Sequence, residues 1–325
     1  PSAAVDLLDE LLTNICMDMR VGNISIPGNH DGASRLRFGA RQLSAGGLHI
    51  LGDLAKSNEP IVISHPEGDV AFYGLPYHDP ETIRNYFGEN VRSFDEAHTF
   101  MVERISEKMS GDVANVLLSH CFVDGSEESD SERPLSIGGS DRVSYQPCLD
   151  FDYVALGHLH SPQSRGEAHI RYSGSLLKYS FSEQHQKKGV TLVEVDSGGF
   201  KSHRQLSLSP LRDMRIIEGE LNSILELGKV DTNNDDYLLV RLTDRHAILD
   251  PMAKLREIYP NVLQLEKPGM LVTGDQTVNR DKLERGELEM FRDFFLQAHG
   301  ESLSEEQDAA ITQVITEIHK QGGKA

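Results

Sequence analysis

"VALGHLHSP", residues 154–162, is an apolar run that meets a glycine and then presents two histidines one leucine apart. Residues two apart on an extended backbone point to the same side, so the rings of His158 and His160 are expected to aim at one place. An isolated H-x-H more often reads as two ordinary polar residues at a strand end, and a metal site needs ligands from elsewhere in the chain. Two other stretches end in the same way. "IPGNHD" at 26–31 and "LLSHCF" at 117–122 each place ligand-capable residues directly after an apolar run. The three strand ends together supply Asn29, His30, Asp31, His120, His158 and His160.

Working outward, strand-like runs recur at "VGNISIPGNHD", "LHILGDL", "PIVISHP", "DVAFYGLPY", "DVANVLLSHCF", "FDYVALGHLH", "HIRYSGSLLKYSFSE" and "GVTLVEVD". They are interleaved with helical spacing in "AAVDLLDELLTNI" and over residues 95–108. Strands that carry polar residues at their C-terminal ends, alternating with helices, predict a layered α/β domain with its site along one sheet edge. After "SGGFKSHRQLSLSPLRD" the pattern changes to three short strand candidates, "MRIIEGEL", "DYLLVRLTD" and "NVLQLEK", with a helix "DPMAKLREIYP" before the last. From Asp281 the chain reads as two charged helical segments. Gly300 stops the first, and a capping box opens the second, with Ser302 and Glu305 or Ser304 and Gln307 as its candidates. The expected domains are 1–205, 206–278 and 279–325.

The 325 residues are 38% hydrophobic and 26% charged, as in a globular protein. No run approaches the roughly 18 apolar residues of a membrane span, and the N-terminus lacks the order of a secretory signal, so a cytoplasmic protein is expected. Cys16, Cys121 and Cys148 are too few and too scattered for a disulfide framework or a thiolate zinc site. The net charge of −19 argues against this chain gripping a polyphosphate by broad electrostatics. A nucleic acid would have to be held by bound cations, a few local arginines or a partner.

Imidazole nitrogens combined with amide and carboxylate oxygens suit manganese, iron or zinc better than calcium. Phosphoryl transfer calls for such a set. Two cations about 3.5 to 4 Å apart can bind phosphate oxygens, lower the pKa of a water and stabilise the leaving oxygen. Neutral ligands suit the task because additional carboxylates would repel the phosphate.

G-N-H-D, a strand-end histidine and then G-H-x-H resemble the calcineurin-like metallophosphoesterase family. Within it, "HCFVDGSEESDSERPLSIGG", "YVALGHLHSPQ" and "YSGSLLKYSFSE" resemble the SbcD nuclease subunits, a likeness that runs over most of the chain. The resemblance implies a layered metallophosphoesterase sandwich with a small α/β capping domain and C-terminal helices. It implies that Asn29, His120 and His158 bind one divalent metal and His160 the other, manganese being favoured. His30 would contact the scissile phosphate and act as general acid, with Asp31 orienting it or holding the loop. The implied reaction is DNA phosphodiester hydrolysis, 3′ to 5′ on duplex ends and endonucleolytic on single strands or hairpins. The implied partners are DNA and an SbcC-type coiled-coil ATPase, with two copies of this chain in a heterotetramer and no membrane.

The family's site also uses a D-x-H strand and a G-D-x-x-D strand ahead of G-N-H-D, and neither motif stands ahead of it in this sequence. By the resemblance, the sandwich lacks its first strands, about one βαβ unit or roughly 30 to 60 residues ahead of Pro1. The His160 metal is then short of ligands, and this chain alone is expected to show little nuclease activity. That leaves room for a non-catalytic subunit that binds the ATPase and DNA. A phosphomonoesterase or nucleotidase on the same fold is disfavoured by the capping module and tail.

Arg35, Arg37 and Arg41 follow the G-N-H-D loop as candidate phosphate contacts, or equally as surface arginines paired with local acids. Ser173, Gly174 and Ser175 are expected to shape a loop beside the site, and "DGSEESDSE" to be a solvated loop. The remaining histidines, among them His65, His78 and His185, read as ordinary surface or satisfied residues. The apolar residues of the tail, such as Phe291, Phe295, Ile311 and Val314, either pack on one another or dock on the ATPase.

Overall fold

The computed structural model describes residues 2–132, 141–268 except 245 and 247, and 301–322, and between 269 and 300 only residues 288, 291, 292, 295 and 296. The chain divides into two compact units between Pro210 and Leu211.

The first unit opens with α1 (Ser2–Thr13), which has the predicted helical spacing but buries none of its residues. A short parallel pair follows, β1 (Asn23–Ser25) with β2 (Leu48–Ile50), enclosing α2 (Ala33–Leu36) and α3 (Ala40–Ser44). The main sheet begins with β3 (Ile61–Ile63), β4 (Val70–Leu75) and β5 (Ala114–His120). Between β4 and β5 lie α4 (Pro80–Phe87) and α5 (Phe94–Ser106). The two-residue strands β6 (Phe122–Val123) and β7 (Arg142–Val143) pair with each other. Next come β8 (Tyr153–Gly157), β9 (Gln163–Arg165) and β10 (Glu167–Tyr172), and the sheet runs in the order β3-β4-β5-β8-β10-β9.

Its four central strands are parallel and its two edges antiparallel. Parallel strands need helical crossovers, and α4 and α5 supply the one between β4 and β5. Near-continuous apolar runs such as "ANVLLSH" make strands buried on both faces. Tyr73, Leu75, Leu117, Val154 and Tyr172 from the sheet pack with Ile83, Met101 and Ile105 from the helices into one core.

A hairpin of β11 (Gly189–Asp196) and β12 (Gly199–Ser207) closes the unit. The second strand adds to the sequence reading, which places no strand in "GFKSHRQLS". Pairing with β11 along its length, with a turn at Ser197–Gly198, makes the polar alternation a strand on an exposed ribbon.

The second unit has a parallel three-stranded sheet, β13 (Met214–Gly219), β14 (Tyr237–Leu242) and β15 (Val262–Glu266). Helices α6 (Leu221–Gly228) and α7 (Pro251–Arg256) supply its crossovers and cover it, burying Ile224, Leu238, Val240, Leu255 and Tyr259. The last helix, α8 (Glu305–Gly322), is opened by the second of the two candidate capping boxes. Gln307 N donates to Ser304 Oγ at 3.2 Å, and Ser304 N donates to Gln307 Oε1 at 2.9 Å. Arg292 forks onto Asp308 with two bonds of 2.6 Å. Most of the helix expected before Gly300 lies outside the described residues. Among the described residues no helix is long and apolar enough to cross a membrane. The architecture is mixed α/β, consistent with a metallophosphoesterase fold.

Candidate metal centre

Adjacent parallel strands end at the same edge, so β5 and β8 deliver His120 and Gly157 side by side in register. His158 is the next residue, and its ring centroid lies 5.4 Å from that of His120. The chain leaving β1 reaches the same place through Pro27 and Gly28, with Tyr77 N donating to Pro27 O at 3.2 Å. Asn29 Oδ1 then sits 2.9 Å from His120 Nε2. Three strand ends separated by up to 129 positions thus bring an amide oxygen and two imidazoles together, as their shared sequence design predicts.

Two glycines make this approach possible. A Cβ on Gly28 would stand 2.6 Å from His120 Cε1, and one on Gly157 would stand 2.9 Å from His120 Nδ1. The ring is seated between two backbones that only glycine lets come so close. Asp31 holds the loop by accepting a bond from Gly28 N at 2.8 Å, one of the two roles considered for it. His30 is exposed beside the half-buried Asn29 and lines the same cleft of about 650 Å³, together with His120, His158 and His160.

The geometry of "GHLH" differs from the flat extended picture. β8 stops at Gly157, and His158 has a φ of +109°, where side chains other than glycine are strained. His158 and His160 therefore reach one cleft through a turn rather than through the two-residue pleat. Leu159 between them is buried in the core and pins the turn.

The electrostatics keep the paired rings neutral. Burial pushes His120 down to about 4, the neighbouring His158 adds to this, and Asp31 opposes it. Burial also lowers His158, against the opposing fields of Asp141 and Glu132. Neutral imidazoles carry the lone pairs that a cation requires.

His160 is held differently. Its Nδ1 lies 2.7 Å from Ser131 Oγ and 3.3 Å from Glu183 Oε1, and its backbone N donates to Glu132 Oε1 at 2.5 Å. Glu132 and Glu183 are both buried, so the far end of "DGSEESDSE" is a correction to the solvated-loop reading. Its Ser131 and Glu132 fold inward because His160 offers them two donors. The loop at 173–175 does shape the site, since Ser175 N donates to His160 O at 3.1 Å. Ser131, Glu132 and Glu183 stand in the stretches that carry the family resemblance, but nothing local assigns them or Lys188 a role; in the structure Glu132, Glu183 and Lys188 stand out as buried charges.

Among the described residues, no group of three or more His, Cys, Asp or Glu side chains is gathered to hold a metal ion. The donors that do converge, Asn29, His120 and His158, fit one borderline divalent cation. A second beside His160 would find Glu132 and Glu183 already engaged.

The arginines do not join this cleft. Arg37 pairs with Asp53 at 2.5 Å, and Arg37 and Arg41 line a separate hollow of about 740 Å³, while Arg35 is exposed. Beneath the site, the rings of His78 and His98 stack with centroids 5.8 Å apart. Both are buried, and His98 Nδ1 has no hydrogen-bond partner, unlike the satisfied residue its sequence context suggests.

A family model described as the type 5 capsule protein repressor C-terminal domain, SbcD_C, matches residues 210–299. The SbcD component of the SbcCD nuclease of Staphylococcus epidermidis is 32% identical over 319 residues, spanning 97% of this chain and 83% of that protein.

Proposed function

Since the chain belongs to the SbcD family of nuclease subunits, we propose that it hydrolyses DNA phosphodiester bonds with divalent metal ions, manganese being favoured, as part of an SbcCD-type complex. The observation that carries this reading is the convergence of Asn29, His120 and His158 from three strand ends, with His30 lining the same cleft. Asn29, His120 and His158 would hold a cation. When bound, it would lower the pKa of a water and draw charge from the phosphate oxygens.

The remaining chemistry falls to the chain's own groups. His30 stands in the wall of the cleft, where a ring N–H can donate to a non-bridging phosphate oxygen. As the P–O bond to the leaving sugar breaks, a proton from His30 neutralises the departing oxygen. The chain's net charge of −19 leaves most of the grip on DNA to a coiled-coil ATPase of the SbcC type. Such a complex, with two copies of each subunit, would work in the cytoplasm on 3′ ends of duplexes and on single strands or hairpins.

A second reading is favoured by one observation, the lack of a second converged ligand set among the described residues. In that reading the chain binds the ATPase and DNA without cleaving. The test is manganese-dependent release of nucleotides from a 3′-labelled duplex, with and without the ATPase. Turnover abolished by both His30→Ala and His158→Ala supports the first reading. Retained DNA binding with no turnover in either setting supports the second.

A further inference from the structure

Glu183 and Lys188 are a buried ion pair at 2.5 Å, with the carboxylate wholly enclosed and the lysine almost so. A buried pair of this kind seldom gives a net gain in stability, because desolvating two charges costs several kcal/mol. Its placement suggests another role. Lys188 Nζ also donates to His160 O at 2.8 Å, Ser175 Oγ at 2.8 Å and Gln186 Oε1 at 2.7 Å. Glu183 Oε1 receives the Ser131 hydroxyl and lies 3.3 Å from His160 Nδ1. The pair therefore holds the backbone on one side of His160 and its ring on the other.

The direction of the protons follows from the chemistry of the groups. The Lys188 ammonium lies 2.5 Å from Glu183 Oε2 in an enclosed ion pair, so Glu183 is its carboxylate partner. An ionised carboxylate can only accept. Ser131 Oγ is in its closest contact with Glu183 Oε1 and has Ser129 Oγ at 2.9 Å, so its hydrogen goes to Glu183, and the serine oxygen, 2.7 Å from His160 Nδ1, accepts from the ring. The neutral ring is thereby obliged to carry its proton on Nδ1, leaving the lone pair on Nε2.

We propose that Glu183, charge-balanced by Lys188 and acting through Ser131, is a positioning residue that fixes His160 as the Nδ1–H tautomer with Nε2 free to bind a cation. The role assigned to Nε2 rests on the proposed metal-dependent hydrolysis, whereas the tautomer does not. Partners of this kind set both the orientation and the basicity of a ligating histidine.

The test is a long-range ¹H–¹⁵N correlation spectrum of the ¹⁵N-labelled full chain, which reads the proton on each ring nitrogen. His160 is assigned by the signal lost in H160Q. A calorimetric Mn²⁺ titration runs in parallel. Wild type should show the Nδ1–H pattern. S131A should turn His160 into a mixture of tautomers and weaken Mn²⁺ binding by about ten- to a hundredfold. Because E183A would strand Lys188 and could unfold the chain, the second variant is the neutral pair E183Q/K188M, which should behave as S131A does. Folded variants that keep a pure Nδ1–H tautomer would overturn the proposal. A tautomer that shifts in a protein binding no Mn²⁺ even as wild type would uphold the positioning role and overturn the metal-dependent reading instead.

Discussion

The strain at His158 can be measured by a pair of substitutions that share every side-chain loss. His158→Ala and His158→Gly both remove the imidazole, with its contacts to His120 and Phe122 at centroid distances of 5.4 and 5.9 Å. They differ only in the Cβ that a φ of +109° penalises. Holding a residue with a side chain in such a region costs of order 1–3 kcal/mol, whereas glycine adopts it freely. At an unstrained helix or strand site glycine is instead the less stable by about 0.5–1 kcal/mol, owing to its larger unfolded-state entropy. The net expectation is that the glycine variant exceeds the alanine variant by about 1 kcal/mol. Calorimetric unfolding of both proteins, following the transition of the first unit, reads the difference directly. An alanine variant equal to or more stable than the glycine variant would refute strain at this turn. Both should lose Mn²⁺ binding, which separates what the residue does for the site from what it costs the fold.

Three further outcomes are expected. Gly28→Ala puts a methyl 2.6 Å from His120 Cε1, so it should displace the ring, lower Mn²⁺ affinity at least tenfold by titration and cost about 1–3 kcal/mol in thermal unfolding. Burial, with His78 stacked beside it, pushes His98 down to about 3 from an ordinary 6.5. The unfolded chain therefore binds the extra proton between these values, and stability is full above pH 6.5 and falls as pH drops towards 3. The full loss is roughly 3 to 5 kcal/mol at about 1.4 kcal/mol per pH unit, and His98→Leu should flatten a melting-temperature series that shows it. In the second unit, Arg215 binds Asp231 at 2.9 Å and Asp236 at 2.6 Å. Arg215→Ala strands two largely enclosed carboxylates and should cost about 2 kcal/mol in urea unfolding, a loss that high salt should not reproduce.

Much of the fold was legible. Apolar runs ending in polar residues mark β1, β5 and β8, and the helical spacing over 95–108 marks the crossover that lets β4 and β5 run parallel. The α4 helix carries equally readable signals: Asp79 caps it by accepting from Thr82 N at 2.6 Å, Pro80 stands at its first turn, and Gly88 ends it in a left-handed conformation. β12 was hidden for a different reason, because a strand on an exposed ribbon lacks the apolar face that would announce it.

The sequence by itself determined the donor atoms. Asn29, His120 and His158 follow strand-forming runs, and the adjacent parallel strands β5 and β8 must end on the same side, so the meeting of the two histidines is a consequence of local pattern and chain direction, and the chain leaving β1 brings Asn29 to it. Only the tertiary structure decided which atoms of His160 are free, that His158 sits at a strained turn, and that Glu183 and Lys188 lie inside rather than in water. A glutamate and a lysine look alike in sequence whether solvated or buried. The difference is made by the 129–132 loop and by Ser175, which meet Glu183 and Lys188 around His160 and which no local pattern can place.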